Sequence, residues 1–382
     1  GLGDVYKRQT VFYPTNKIRL PVNKENVIKS GLVKEKDSEL ILDYIDIDLP
    51  ESIITKNQIM MLDILANNNW ERPIYFTGGS YEESEYIWMK DYLQLDGLVY
   101  KLVPIKTSIE NNPYEMGRID SDLMYDIVKK WSWGNSESDE IYHDPETRKN
   151  SISFRGNLSR LSEKLISEGE YEKAEEILDL AFSKMPIDYY GYYSLWTPLV
   201  KSYYDIGKSE KVKEIVQKLS FKYSDRLSYF SSLEIFNQYD VGEEIISDIE
   251  RFRNLIETIQ ESGEREILAD QIKSFISSSE QFNYIYGEYD YYISLSNFLV
   301  SLLELNELEY SMSVIDKIEE QLIRRVSVFS NIDEDEQVYY LEGITSDINQ
   351  YSRLINQIEV YDIDAYNKYD KNLKDMLARM IE

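Results

Sequence analysis

Two aspartates on a short predicted strand are the first side chains in this sequence whose spacing suits chemistry. The segment Ile45-Asp-Ile-Asp-Leu49 alternates apolar and acidic residues, and a period of two is typical of a half-buried strand. Asp46 and Asp48 therefore point to one face, where paired carboxylates could perform acid–base chemistry or bind a metal ion. The alternative, which we favour, is the solvated face of an edge strand.

A pair of glycines offers a second candidate site. Gly78-Gly79-Ser80 lies between a predicted strand and a predicted helix, where backbone amides can cradle a phosphate. The segment lacks the lysine of a P-loop and the third glycine of a dinucleotide-binding loop. We therefore favour a turn in which Ser80 caps the following helix.

The single histidine of the chain, His143, is a third candidate. Together with Asp144 and Glu146 it could hold a metal ion, but it has no histidine partner at helical spacing. The chain also contains no cysteine, which excludes thiolate metal sites, disulfides and cysteine nucleophiles. We favour a hydrogen-bonding role for His143 in a loop.

Aromatic residues form the last candidate. Trp131 and Trp133, together with the tyrosine-rich run at 189–193, could provide a platform for a sugar or a peptide. The favoured alternative is packing between domains and between helices. None of these patterns identifies a catalytic residue, a metal ligand or a cofactor site, and we predict no cofactor.

Composition limits the classes of partner. The chain has 382 residues, of which 42% are hydrophobic and 29% charged, the balance of a folded protein with more than one core. Its 70 acidic and 42 basic residues give a net charge of −28. Such a surface repels a phosphate backbone, so nucleic acid is excluded as a partner, and attraction to anionic lipid is equally disfavoured.

The first part of the chain alternates strand and helix signals, which predicts a small α/β module over residues 10–107. A capping box at Thr55–Gln58 opens one helix, and a second helix is predicted over 85–93. The predicted strands cover 18–22, 45–49, 73–77 and 98–103. Residues 108–156 are predicted to be a linker with one helix, at 122–131.

From residue 157 to 382 the pattern is helical. Apolar residues recur at helical spacing on both sides of Gly169, and the arrangement resembles half of a tetratricopeptide repeat (TPR). Further hairpin turns are predicted at Gly207, Gly263 and Asn306. A last helix carries a narrow apolar seam from Leu341 to Ile358, suited to a partner helix. The predicted fold class is α+β overall: a small α/β module followed by a TPR-like all-α array of helical hairpins.

The start of the sequence and its lack of long apolar stretches bear on the natural form of the protein. Residues 1–9 resemble a translated sequencing-adapter junction and are excluded from the fold argument; we expect the natural protein to continue upstream. They do not form a signal peptide, because no apolar segment follows Lys7 and Arg8. No stretch approaches the ~20 apolar residues of a membrane helix, so the sequence predicts a water-soluble chain.

Seven segments of the chain together form a recognisable set: Tyr13–Lys17, Leu20–Val22, Asn57–Asp63, Asn69–Phe76, Tyr92–Tyr100, Arg118–Asp120 and Asn157–Leu161. In these segments the chain resembles one known family, the bacterial protein O-mannosyltransferase-like (GT-C type) multi-pass membrane proteins, in their C-terminal region, which was formerly a domain of unknown function. The resemblance implies that an absent membrane half carries catalysis with a polyprenyl-phosphate sugar, while this region lies on the periplasmic side of a bacterial membrane. It carries over no catalytic residue.

Three hypotheses follow. The first is a non-catalytic region that binds or positions an acceptor protein or partner subunit, since helical-hairpin arrays bind peptides. The second is an enzyme or carbohydrate-binding module around Gly78-Gly79 and Asp46/Asp48. The third is a structural scaffold of a membrane assembly, in which the seam at Leu341–Ile358 mediates self-association.

Overall fold

A computed structural model of the chain describes residues 15–49, 54–77, 87–107 and 116–381. The chain divides into two compact units, Gly1–Gly191 and Tyr192–Glu382. The first contains all of the described strands, and the second is helical. The predicted α+β class, with a small β-containing module ahead of a helical region, is confirmed.

The first unit begins with a two-stranded antiparallel sheet of β1 (Lys17–Pro21) and β2 (Tyr44–Asp48). In β2, Ile45 and Ile47 are buried while the two aspartates are exposed. The period-two pattern of the sequence therefore correctly predicts which face of the strand is buried. A helix, α1 (Lys24–Lys29), and a 3-10 helix, Glu35–Leu40, connect the two strands.

The helix α2 (Lys56–Asn68) starts at the predicted capping box. The Thr55 backbone N–H donates to Gln58 Oε1 at 2.8 Å, which satisfies one of the donors that a helix start leaves free. The helix ends at Asn69, whose φ of 47° is left-handed, a conformation that asparagine tolerates well.

A second antiparallel sheet has the strand order β3-β5-β4. Its strands are β3 (Tyr75–Thr77), β4 (Leu93–Asp96) and β5 (Val99–Leu102). Gly97 has a φ of 71° in the two-residue turn between β4 and β5, as a tight hairpin of right-handed twist requires. In the described residues, the small α/β module predicted from the sequence thus contains two separate antiparallel sheets.

The predicted helix over 85–93 differs from the structure. In its described part the chain forms a 3-10 helix, Ile87–Tyr92, and then enters β4. The reason is strand pairing within the β4–β5 hairpin: Leu93 lies opposite Leu102 and Leu95 opposite Tyr100 in the sheet. Pairing with a neighbouring strand overrides a local helical preference.

One face of the β4–β5 hairpin buries three polar side chains, an ion pair and a glutamine, whose contact the sequence did not reveal. Lys101 Nζ lies 2.9 Å from Asp96 Oδ2, and both side chains are almost fully buried. Gln94 Nε2 donates to the other Asp96 oxygen at 2.8 Å. A buried ion pair tolerates desolvation only when its remaining polar atoms are bonded, and Gln94 meets that need.

Helices complete the first unit: α3 (Ser121–Val128), α4 (Pro145–Ser167), α5 (Tyr171–Lys184) and α6 (Ile187–Tyr190). The predicted boundary at 156/157 lies inside α4. Asp144 caps this helix by accepting from the N–H groups of Glu146 and Thr147, and Pro145 occupies its first turn. Since Pro at that position and Asp at the cap favour a helix start, the helix begins earlier than its apolar residues indicate.

The second unit consists of helices that follow a 3-10 turn, Tyr193–Trp196. They are α7 (Thr197–Asp205), α8 (Ser209–Ser231), α9 (Ile235–Asp240), α10 (Gly242–Glu261), α11 (Leu268–Ser279), α12 (Asn283–Tyr286), α13 (Glu288–Ile293), α14 (Ser296–Glu304), α15 (Leu308–Ser330), α16 (Glu334–Ile358) and α17 (Ile363–Ile381). A second 3-10 helix, Glu280–Phe282, lies between α11 and α12.

The three hairpin turns predicted in this unit are present. Gly207 joins α7 to α8, Gly263 lies in the turn between α10 and α11, and Asn306 joins α14 to α15. All three have a left-handed φ, between 65° and 75°. Glycine adopts it without strain and asparagine with little, which is why these residue types mark the turns.

A chain of aromatic rings runs through the core of the second unit. Successive centroids lie 5.4 to 5.9 Å apart, mostly in the edge-to-face arrangement that aromatic pairs favour. The rings belong to Tyr193, Tyr223, Phe252, Phe275 and Phe298. Aromatic packing thus joins successive helices of this unit.

The predicted apolar seam lies on α16. Its residues Ile344, Ile348, Tyr351, Ile355 and Ile358 are buried, and α16 packs against α15 and α17. The partner helices of the seam therefore belong to this chain. Only the start of the seam, at Leu341, stays half exposed.

Candidate partner-binding site

The two aspartates of β2 lie on an exposed face and are paired with cations of β1. Arg19 donates to both Asp46 oxygens, at 2.8 and 2.9 Å, and Lys17 lies 3.0 Å from Asp48. The hydrogen bond from Arg19 lowers the pKa of Asp46. A general acid needs a raised pKa, so this geometry favours cross-strand ion pairs.

Trp131 and Trp133 pack together with Phe154 of α4. The three ring centroids lie 5.3 to 5.6 Å apart. A side chain at Gly97 would also approach Trp131 to 3.1 Å, so the β4–β5 turn lies directly against this cluster. We name Trp131, Trp133 and Phe154 the tryptophan cluster.

His143 lies apart from the tryptophan cluster, against the short helix α6. Its ring is 6.0 Å from the ring of Tyr189 and 5.1 Å from that of Tyr190, and its Nε2 lies 3.2 Å from the Ser138 carbonyl oxygen. The carboxylate of Asp144 caps the N-terminus of α4. In the described parts of the chain, no group of three or more histidine, aspartate or glutamate side chains could hold a metal ion.

The remaining sequence candidates, Gly78 and Gly79, lie outside the described residues. A charged cleft of about 420 Å³ occurs elsewhere in the first unit, around Arg118 and Asp120. Its charges bond to one another: Arg118 to Asp37 at 2.6 Å and Lys34 to Asp120 at 3.1 Å. A ligand there must compete with ion pairs that are already made.

A different arrangement occurs on α16, on the face opposite its buried seam. Six exposed residues follow one another at spacings of four and three, which places them in one line along the helix. They are Tyr339, Gly343, Ser346, Gln350, Arg353 and Gln357, and we name them the α16 stripe. At about 1.5 Å per residue the stripe is about 27 Å long, which about eight extended residues span.

The first half of the stripe borders an apolar groove of about 530 Å³, between α15 and α16. Tyr339, Tyr340 and Val328 line it and are 84%, 62% and 66% exposed. Arg325 anchors its wall, because this side chain bonds to Asp347 at 2.8 Å and lies over the ring of Tyr289 at 5.0 Å. Exposed aromatic and aliphatic surface of this kind marks interaction sites.

The second half borders a polar groove of about 650 Å³ that α10 and α14 complete. Four carboxamides line it, those of Gln260, Asn297, Gln350 and Gln357. Gln260 Nε2 donates to Ser301 Oγ at 2.7 Å, and Arg253 donates to the carbonyl and hydroxyl oxygens of Ser294. These bonds connect α10 to the α13–α14 segment.

Sequence reasoning missed both grooves. The α16 segment was interpreted only for its apolar seam, although Tyr339, Ser346 and Arg353 lie seven residues apart, as do Gly343, Gln350 and Gln357. That repeat was a usable signal for a second continuous face. The approach of α10 and α14 to this face had no signal in the sequence.

Comparison with known proteins bears on the first unit. Residues 3–123 match the family described as TMEM260-associated domain 2, which is linked to a membrane protein. No curated protein and no solved structure matches the chain. In the part of the chain that the structure describes, no helix combines the length and apolar character needed to cross a membrane. Residues 3–123 are therefore similar to a domain associated with a membrane protein.

Proposed function

We propose that this chain is a non-catalytic, extracytoplasmic region of a membrane glycosyltransferase-like protein and that its second unit binds an extended segment of an acceptor protein or partner subunit. The match of residues 3–123 to a domain linked to a membrane protein supports the first part. The resemblance to O-mannosyltransferase-like proteins supports the periplasmic side of a bacterial membrane as the location. The binding role is supported by the two grooves along the α16 stripe.

The grooves combine the two kinds of contact on which peptide recognition depends. The apolar groove offers exposed rings and a valine for anchoring side chains, and aromatic anchors supply most of the energy of interfaces. The polar groove offers carboxamides, each of which both donates and accepts hydrogen bonds like a peptide group. The proposal is supported above all by the position of the apolar groove and the polar groove one after the other along α16.

A substitution that fills the apolar groove tests it. Gly343 lies in the stripe, and a Cβ there meets no heavy atom within 4 Å, so Gly343→Trp places an indole in the groove without a clash at its first carbon. Gly156 of α4 is equally open, which makes Gly156→Trp the matched control. The probe is a random library of peptides of about ten residues, selected on the full chain and measured by fluorescence anisotropy.

We expect Gly343→Trp to weaken selected peptides at least about tenfold, or about 1.4 kcal/mol, and Gly156→Trp to leave their affinity unchanged. Equal effects of the two substitutions, or the absence of any selected peptide, contradict the proposal.

A further inference from the structure

Among the residues that the structure describes, Arg353 of the polar groove has no hydrogen-bond or ion-pair partner. The second unit contains six other arginines whose side chains the structure describes, and each bonds to a carboxylate or a carbonyl oxygen. They are Arg226, Arg251, Arg253, Arg265, Arg324 and Arg325. Among the described residues Arg353 forms no such bond, although the chain has 70 acidic residues to pair with 42 basic ones. A guanidinium left free amid such an excess of carboxylates is available to a ligand.

The groups around Arg353 are also available. The carboxamides of Asn297 and Gln357 have no hydrogen-bond partner among the described residues, and Gln350 makes only a long contact of 3.3 Å with Ser346. Carboxamides match the donors and acceptors of an extended backbone. A guanidinium presents a planar fork that fits the two oxygens of a carboxylate.

From this arrangement we infer that the polar groove binds a partner segment carrying a single carboxylate, which pairs with Arg353. The inference rests on the proposed function and specifies its ligand. One carboxylate is favoured over several because the net charge of −28 repels a polyacidic segment. Glu304 lines the same groove and disfavours a second negative charge close by.

The carboxylate has two possible sources, an aspartate or glutamate side chain and the C-terminus of the partner. The test uses the full chain and two peptide libraries of about ten residues, one with free C-termini and one amidated. Enrichment of one acidic residue in the amidated library identifies a side chain. Selection from the free-acid library alone identifies a C-terminus.

The best peptide and its neutral counterpart (Asp→Asn, Glu→Gln or the C-terminal amide) are then measured against four proteins: wild type, Arg353→Gln, Arg353→Lys and Lys371→Gln. Lys371 is exposed on α17 and lies outside both grooves, so its substitution controls for the loss of one positive charge. Thermal unfolding checks that each variant is folded.

Loss of the carboxylate should weaken binding to wild type about 10- to 100-fold, as expected for a hydrogen bond to a charged group. It should make little difference in Arg353→Gln, because the partner is already absent. Arg353→Lys should retain part of the effect, and Lys371→Gln all of it.

Two failures are distinguishable. Peptides that bind wild type and Arg353→Gln equally, or show no preference for a carboxylate, overturn the inference and leave the proposed function standing. Libraries that yield no peptide sensitive to Gly343→Trp reject the proposed function, and the inference with it.

Discussion

Two aromatic regions of this protein differ in what surrounds them. In the first unit, Trp131 and Trp133 contact each other and Phe154 at edge-to-face distances. In the second unit, Tyr339 and Tyr340 are mostly exposed, and neither makes a ring contact with a described residue. The first pair already packs against its neighbours, whereas the second leaves its apolar surface in water.

The difference shows why residue type alone did not locate a binding site. The tryptophan pair packs against a third ring and so contributes to the core. The tyrosine pair has no such neighbour among the described residues, and its exposed rings offer a surface for a partner. The third ring in the tryptophan cluster comes from α4, a separate element of the chain. The same contrast holds for charges, since Asp46 is paired with Arg19 while Arg353 has no partner among the described residues.

The largest expected effect is on stability in the tryptophan cluster. Trp131→Ala should lower the free energy of unfolding by about 2–3 kcal/mol, somewhat less than the loss of a fully buried tryptophan, because the side chain is half-buried. Urea denaturation measures the change. Peptide affinity should stay at the wild-type value, and a loss of binding in the folded variant would assign the cluster a recognition role.

The converse substitution is Tyr340→Ala. Because the ring is 62% exposed, its removal should change the free energy of unfolding by less than about 0.5 kcal/mol. Affinity for selected peptides should fall about tenfold, as for an aromatic anchor. Calorimetric titration alongside the same denaturation measurement separates the two effects. A stability loss like that of Trp131→Ala would erase the contrast between the two regions.

The smallest expected effect is a pH dependence of the folding stability, caused by Asp347 near the apolar groove. Burial raises the pKa of Asp347 above its ordinary value of 3.8, opposed by the neighbouring Arg325 and reinforced by Asp290. A raised carboxyl pKa means that this group's contribution to stability is greatest at low pH and declines as pH rises through the folded-state pKa. Asp347→Asn removes the dependence.

Wild type should therefore gain stability relative to Asp347→Asn as pH falls from neutrality towards 3.8. Denaturation at several pH values provides the comparison. If wild type instead loses stability relative to Asp347→Asn over that range, the pKa of Asp347 is lowered and the ion pair with Arg325 outweighs burial.

Local signals predicted much of the fold. The alternation at 45–49 marked β2, the capping box marked the start of α2, and the turn residues marked three helical hairpins. Each signal depends on residues a few positions apart. The α4 start had a local signal as well, in Asp144 and Pro145, but Asp144 was considered only as a possible metal ligand.

The rest depended on contacts between separate elements of the chain. The start of β4 was predicted as helix because its partner β5 lies across a turn, and the pairing outweighs the local pattern. Gln94, Asp96 and Lys101 are ordinary polar residues of two strands until the register brings them together. The grooves depend on how α10, α14 and α15 approach α16, which no spacing within one helix encodes.

Photo-crosslinking determines whether a peptide binds along the α16 stripe. A selected peptide carrying a photoreactive phenylalanine analogue is irradiated with the full chain, and the attachment sites are mapped by mass spectrometry. If the peptide binds along the α16 stripe, we expect crosslinks to α14, α15 and α16, and we expect Gly343→Trp to suppress them. Crosslinks to the tryptophan cluster or to the charged face of β1 and β2 would contradict it.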